Sequence, residues 1–154
     1  LVPAAARAEA LLAMAHAERL RGQDLGYFDR ALAAYKLVVD LKERSNDTSA
    51  WARFYLGDLH RYLDDRDKAL QIWKDGRDGS LPGRLMTMLV AGTGTVTADP
   101  RRPATANDVA YGVAVQALLK EDDATWKAQV TAIAAGQPYD WPASLARQLA
   151  SQPP

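Results

Sequence analysis

Cysteine is absent from the 154 residues, which excludes a disulfide framework, thiolate metal sites and cysteine nucleophiles while leaving the redox compartment open. Net charge is absent as well. Nineteen lysines and arginines balance nineteen aspartates and glutamates, so no global field draws the chain to nucleic acid or an anionic membrane, and a charged partner must be met by a local patch. No apolar run approaches the roughly 20 residues that span a bilayer; the stretch from Leu85 to Ala91 is interrupted by Thr87. Serines are few, and none pairs visibly with a histidine or sits in a glycine-flanked elbow, so no catalytic residue is assigned.

What is present suffices for a folded domain. A chain of this length buries about two-thirds of the surface its unfolded form exposes, and 48% of the residues are hydrophobic, so neither metal nor disulfide is needed to hold it, and no cofactor is assigned. The folded part reads as soluble. The sequence opens on Leu1 rather than methionine, which implies removal of something before it, a signal peptide being one candidate. Together with the missing cysteines, this inclines the expected location towards an extracytoplasmic one, periplasmic or secreted, over the cytoplasm.

Helical signals dominate. Residues Ala4 to Arg21 are rich in alanine and leucine and favour a helix, although Leu11, Leu12, Met14 and Leu20 fall on no single stripe; Gly22 to Gly26 is expected to break it. Phe28, Ala31, Leu32, Tyr35, Val38, Val39 and Leu41 recur at three- and four-residue steps and predict one face of a second helix. Ser45 to Ser49 stops that helix and offers N-caps to a third, about Ala50 to Leu63. Asp64-Asp65-Arg66-Asp67 predicts a tight turn into a fourth, ended by Gly76. A fifth is expected over Leu81 to Ala91, with Pro82 in its first turn. Gly92 to Arg102 reads as a long loop. Thr105 to Asp108 resembles a capping box for a sixth helix reaching Lys120, a seventh covers Asp122 to Ala135, and Asp140-Trp141-Pro142 opens an eighth.

An internal echo runs through these elements. Ala31 precedes Tyr35 by four residues, as Ala69 precedes Trp73, and Gly57 lies twelve residues before Ala69, as Gly112 lies before Ala124. With Leu56, Gly57, His60, Ala69 and Trp73, and Pro82 beyond them, residues 4–82 resemble tetratricopeptide (TPR) repeat hairpins. The resemblance implies an all-α fold of about seven or eight helices, antiparallel hairpins stacked as a TPR-like α-solenoid. It implies that Gly57 and Ala69 face each other where two helices approach closely. Arg53 stands where the family favours tryptophan, His60 where it favours tyrosine, and Ala128 where an aromatic is expected. Three segments follow: hairpins over 1–82, a short helix and a Gly/Thr/Pro/Arg-rich loop over 83–105, and a C-terminal hairpin with a capping helix over 106–154, read as one domain.

In folds of that kind the first helix of a hairpin lines a concave groove, which would place Trp51, Phe54, Asp58, Arg61 and Tyr62 on a partner-binding face. Aromatic anchors beside fixed charges suit peptide recognition; the competing assignment makes Trp51 and Phe54 core, and Asp58 and Arg61 an exposed i,i+3 pair. Arg77, Arg84, Arg101 and Arg102 form a secondary basic patch, without the aromatic interleaving of a nucleic-acid surface. His60 stands four residues before Asp64, a possible two-ligand metal spacing that lacks a third ligand. His16 and His60 are candidates for a facing, pH-sensitive pair. Gly92-Thr93-Gly94-Thr95 lacks the Gly-Lys-Ser/Thr of a phosphate loop. The expectation is therefore a non-enzymatic adaptor or assembly subunit for a protein or peptide partner, including permanent association in a larger complex. The rival is a small helical ligand-binding domain or enzyme with a site near the 92–102 loop.

Overall fold

The computed structural model describes residues 3–136 and 139–152. Among these the chain is all-α: α1 (Ala4–Leu25), α2 (Asp29–Leu41), α3 (Thr48–Tyr62), α4 (Arg66–Asp75), α5 (Leu81–Ala91), α6 (Ala106–Leu119), α7 (Asp123–Ala135) and α8 (Trp141–Ala150), with two single-turn 3-10 segments and no strand. Two compact units divide the chain, Leu1–Val90 and Ala91–Pro154. The division falls at the end of α5.

In the first unit each of the first four helices packs on its neighbour in the chain, and α1 also reaches α3. The order is solenoid-like. α1 continues through Gly22, where a break was expected, and stops at Gly26, whose φ of +68° suits glycine and whose N–H donates to the Gly22 carbonyl at 2.7 Å. Gly22 is spent on proximity instead: a Cβ there would stand 2.8 Å from the Phe28 ring. The buried face of α1 is Ala8, Ala15, Arg19 and Gly22, small residues seven apart with one arginine among them.

The second helix buries Ala31, Tyr35, Val38 and Val39 as the periodicity predicts, while Leu41 is exposed. Ser49 does not cap α3. Its hydroxyl accepts from the Glu43 N–H at 2.7 Å and donates to the Val38 carbonyl at 2.8 Å, tying the link back onto α2, while Asp47 precedes α3 without a side-chain cap bond. That third helix is central. Ten of its fifteen residues are buried, because α2, α4 and α1 surround it.

Between α3 and α4 the twelve-residue spacing works differently from the expectation. Trp73, fully buried, occupies the space left by Gly57: a Cβ on Gly57 would lie 2.3 Å from the indole nitrogen. The indole N–H donates to the Phe54 carbonyl at 3.0 Å, so the ring's one polar atom is satisfied in the core.

The second unit packs α6 on α7 and α7 on α8. Its α6–α7 turn repeats the α3–α4 turn with an offset of 57 residues. Asp64 (φ 65°) corresponds to Glu121 (φ 60°). Asp65 N–H donates to the His60 carbonyl as Asp122 N–H does to Ala117, and Asp65 caps Lys68 N–H as Asp122 caps Thr125 N–H. This offset corrects the second small pair. Counterparts of Gly57 and Ala69 are Ala114, which is buried, and Trp126, so the Gly112 and Ala124 spacing was two residues out of register; Ala124 is exposed. Two residues turn a helix by about 200°, enough to carry a side chain to the opposite face.

Elsewhere in the second unit, Thr105 makes no N-cap bond; its hydroxyl donates to the Arg102 carbonyl. Asn107 donates to Asp140, which also caps Ala143 N–H and so seats the start of α8. The 92–102 connection is irregular as expected, and Gln116 holds it by donating to the Gly94 carbonyl at 3.3 Å. Trp126 packs edge-on to Tyr111. Trp126 and Trp141 are half-buried, whereas Trp51 and Trp73 of the first unit are buried.

Candidate functional site

The expected groove residues come together as an interior cluster. Phe54 and Asp58 are 0% exposed and Trp51 is 8% exposed, so α3 presents neither rings nor carboxylate there as an open face. The correction has a physical cause: α1, whose small residues allow close approach, lies against α3. Trp51, Phe54 and Tyr55 stack on one another instead, with Trp51 edge-on to Phe54 at 5.8 Å between centroids and Phe54 edge-on to Tyr55 at 4.8 Å.

The Asp58 and Arg61 pair exists but is not an exposed one. Arg61 reaches Asp58 Oδ1 through Nε and Nη2, each at 2.8 Å, with its side chain only 10% exposed. Arg19 of α1 takes the other carboxylate oxygen, Oδ2, at 2.7 Å, and both of those side chains are fully buried. One buried carboxylate thus bridges two guanidiniums from two helices. Tyr62 completes the set: its ring lies 6.0 Å from the Arg19 guanidinium carbon, and its hydroxyl accepts from Gln23 of α1 at 3.1 Å.

His16 does not face His60. Its Nδ1 lies 2.5 Å from the Tyr35 hydroxyl of α2, and its ring sits edge-on to Tyr35 and to Tyr55 of α3. Burial, and then the charge of Arg19, hold its pKa well below the ordinary 6.5. His60 is lowered by burial, with Asp65 opposing and Lys68 adding to the shift. Among the described residues no three His, Cys, Asp or Glu side chains gather as a metal site, and no helix is long and apolar enough to cross a membrane.

The four patch arginines fall in both units. In the first, Arg77 donates to the Lys74 carbonyl and Arg84 is exposed. In the second, Arg101 pairs with Asp99 at 3.3 Å while Arg102 is exposed; hydrogen bonds from Arg101 hold the Asp99 carboxyl below its usual range.

A surface that periodicity did not single out lies on the outer side of the α1–α2 hairpin. A pocket of about 240 Å³ there is lined by Glu18, Arg21, Gly22, Leu25, Tyr27 and Arg30. Met14 precedes Leu25 by eleven residues, three helical turns, and Leu37 follows Arg30 by seven, two turns, so both lie on the pocket's side of their helices. Leu41 continues the row one turn on. These side chains are conspicuous: Leu25 is 66% exposed, Met14 62%, Tyr27 56% and Leu37 51%. Asp29 accepts from the Tyr27 hydroxyl and raises the phenol pKa.

Comparison of the chain with protein-family models, with curated proteins and with solved structures finds no match.

Proposed function

We propose that this chain is a non-enzymatic interaction subunit of TPR-like hairpins, which holds a protein partner on the outer side of α1 and α2. The carrying observation is the row of exposed Met14, Leu25, Tyr27, Leu37 and Leu41 alongside the pocket that Arg21 and Arg30 line. A surface of large apolar side chains rimmed by charge is the composition of a binding face. A pocket lined by residues from both sides of the α1–α2 turn, beside exposed apolar side chains of both helices, suits the docking of a third helix. The occupant is therefore an amphipathic helix of a partner protein, carrying acidic residues against Arg21 and Arg30.

The test places a photo-crosslinking residue at Leu37 in the full chain and compares it with the same chain carrying Leu25→Asp and Met14→Asp. The expected capture is an amphipathic, acidic helical segment of another protein, lost in the double variant while helicity and melting temperature stay unchanged. Equal capture by the double variant would move the contact elsewhere. Capture of a second copy of this chain would replace a heterologous partner by self-association.

A further inference from the structure

Helix α1 buries Ala8, Ala15 and Gly22 at steps of seven, and one residue before each of them stand Arg7, Met14 and Arg21. An α-helix turns about 100° per residue, so this second row runs beside the buried one. Glu18 and Leu25 fall on it too, each four residues after a member of the row. All five side chains lie within about 60° around the helix. Arg7 and Arg21 are exposed, Met14 and Leu25 are 62% and 66% exposed, and Glu18 is half-buried at the pocket wall. The outer side of α1 is thus one continuous stripe whose order is basic, apolar, acidic, basic, apolar.

The charges on this stripe are uncommitted. Asp58 takes Arg19 and Arg61, and Asp40 takes Lys36. Among the described residues, by contrast, Arg7, Glu18 and Arg21 form neither an ion pair nor a side-chain hydrogen bond, and neither does Arg30, which lines the same pocket from α2. The neighbouring acids of α1 do not substitute for a partner. Glu9 accepts from Asn46, and Asp24 is turned about 60° beyond Arg21, off the stripe.

We propose that this stripe reads a charge series on the partner helix: an acidic residue against Arg7, an apolar one against Met14, a basic one against Glu18, an acidic one between Arg21 and Arg30, and an apolar one against Leu25. The inference rests on the docking face proposed above and adds which amphipathic helices that face accepts and which it refuses. Seven-residue steps keep α1 in register with a helix laid along it at a small crossing angle. Arg7 and Arg21 are about 21 Å apart along the axis, so the occupant holds its acidic residues about fourteen positions apart. Glu18 is the discriminating residue. A helix with an unbroken acidic face would satisfy the arginines but set a carboxylate against half-buried Glu18, whereas a basic residue there removes the repulsion. Because the series is not symmetric, it also fixes the direction in which the partner runs.

The test uses the full chain and four synthetic helices of about 20 residues, long enough to span the stripe, each locked by side-chain bridges on its far face and carrying a fluorophore. Two present the matching series in opposite chain directions; the other two present it with every glutamate and lysine exchanged. Fluorescence anisotropy at low salt is expected to give one matching helix about tenfold tighter binding than its exchanged counterpart. Glu18→Lys with Arg21→Glu should reverse that preference, and Arg7→Glu, four turns from the pocket, should reduce it even if the double variant fails to fold. Equal binding of matching and exchanged helices overturns the charge series; if both are lost in the chain carrying Met14→Asp and Leu25→Asp, the docking face stands without it. A preference untouched by these charge reversals also overturns the series, placing the discrimination on other charges. Failure of every helix to bind overturns it as well, and the cross-link from Leu37 then decides separately whether the face docks a partner.

Discussion

At the scale of single residues, Asp58 is the side chain on which most depends. It is fully buried, and its two oxygens hold Arg19 and Arg61 at 2.7 and 2.8 Å. A buried ion pair returns little net stability over a well-packed apolar equivalent, yet removing one member leaves a charge stranded. Asp58→Ala is accordingly expected to cost about 3–5 kcal/mol in urea unfolding, and an effect below about 1 kcal/mol would mean that water reaches the guanidiniums. Gly57 makes the converse point. Because the Trp73 indole fills the place of its missing side chain, Gly57→Ala should destabilise by about 1–3 kcal/mol through overpacking. Trp73→Ala, which empties the space, should cost about 3–5 kcal/mol by the same assay.

Individual helices show which of these features the sequence discloses. α2 announces its inner face because that face is large and apolar, so Ala31, Tyr35, Val38 and Val39 were legible. α1 does not, since a helix that buries Ala8, Ala15 and Gly22 has no hydrophobic stripe to detect; its signal is small residues seven apart, a pattern of closeness rather than of greasiness. That gap hid Arg19, and with it the burial of Asp58 and the α3 rings. The Asp58 and Arg61 spacing was readable, but whether the pair faced water depended on a helix whose register was not. Gly22 is ambiguous in the sequence for a related reason, since glycine both ends helices and admits neighbours. Gly22→Ala would drive a Cβ to within 2.8 Å of the Phe28 ring and the Tyr27 carbonyl, so a loss of about 1–3 kcal/mol is expected by thermal melting. An unchanged melt would show that the α1–α2 turn can open to admit a methyl group. The outer row on α1 and α2 is not legible in the sequence, because exposed apolar residues look like core residues until burial is known.

For the whole molecule, the division at Val90 carries the main expectation. Residues 1–90 contain the α3-centred core and the Trp73 anchor, and should unfold cooperatively as an isolated fragment. Failure of that fragment to melt cooperatively would show that the first unit needs the second. The two units share one turn design, from Asp64-Asp65 and from Glu121-Asp122, but fill the adjoining helix contact differently: glycine against indole in one, alanine with a half-exposed Trp126 in the other. The tryptophans consequently divide two and two, with Trp51 and Trp73 buried and Trp126 and Trp141 half-buried. An unlabelled sample is thus its own two-channel optical reporter. Emission from Trp51 and Trp73, the better shielded from acrylamide, follows the first unit, and the more readily quenched share from the second reports on that unit, so an event confined to either can be seen without attaching a dye.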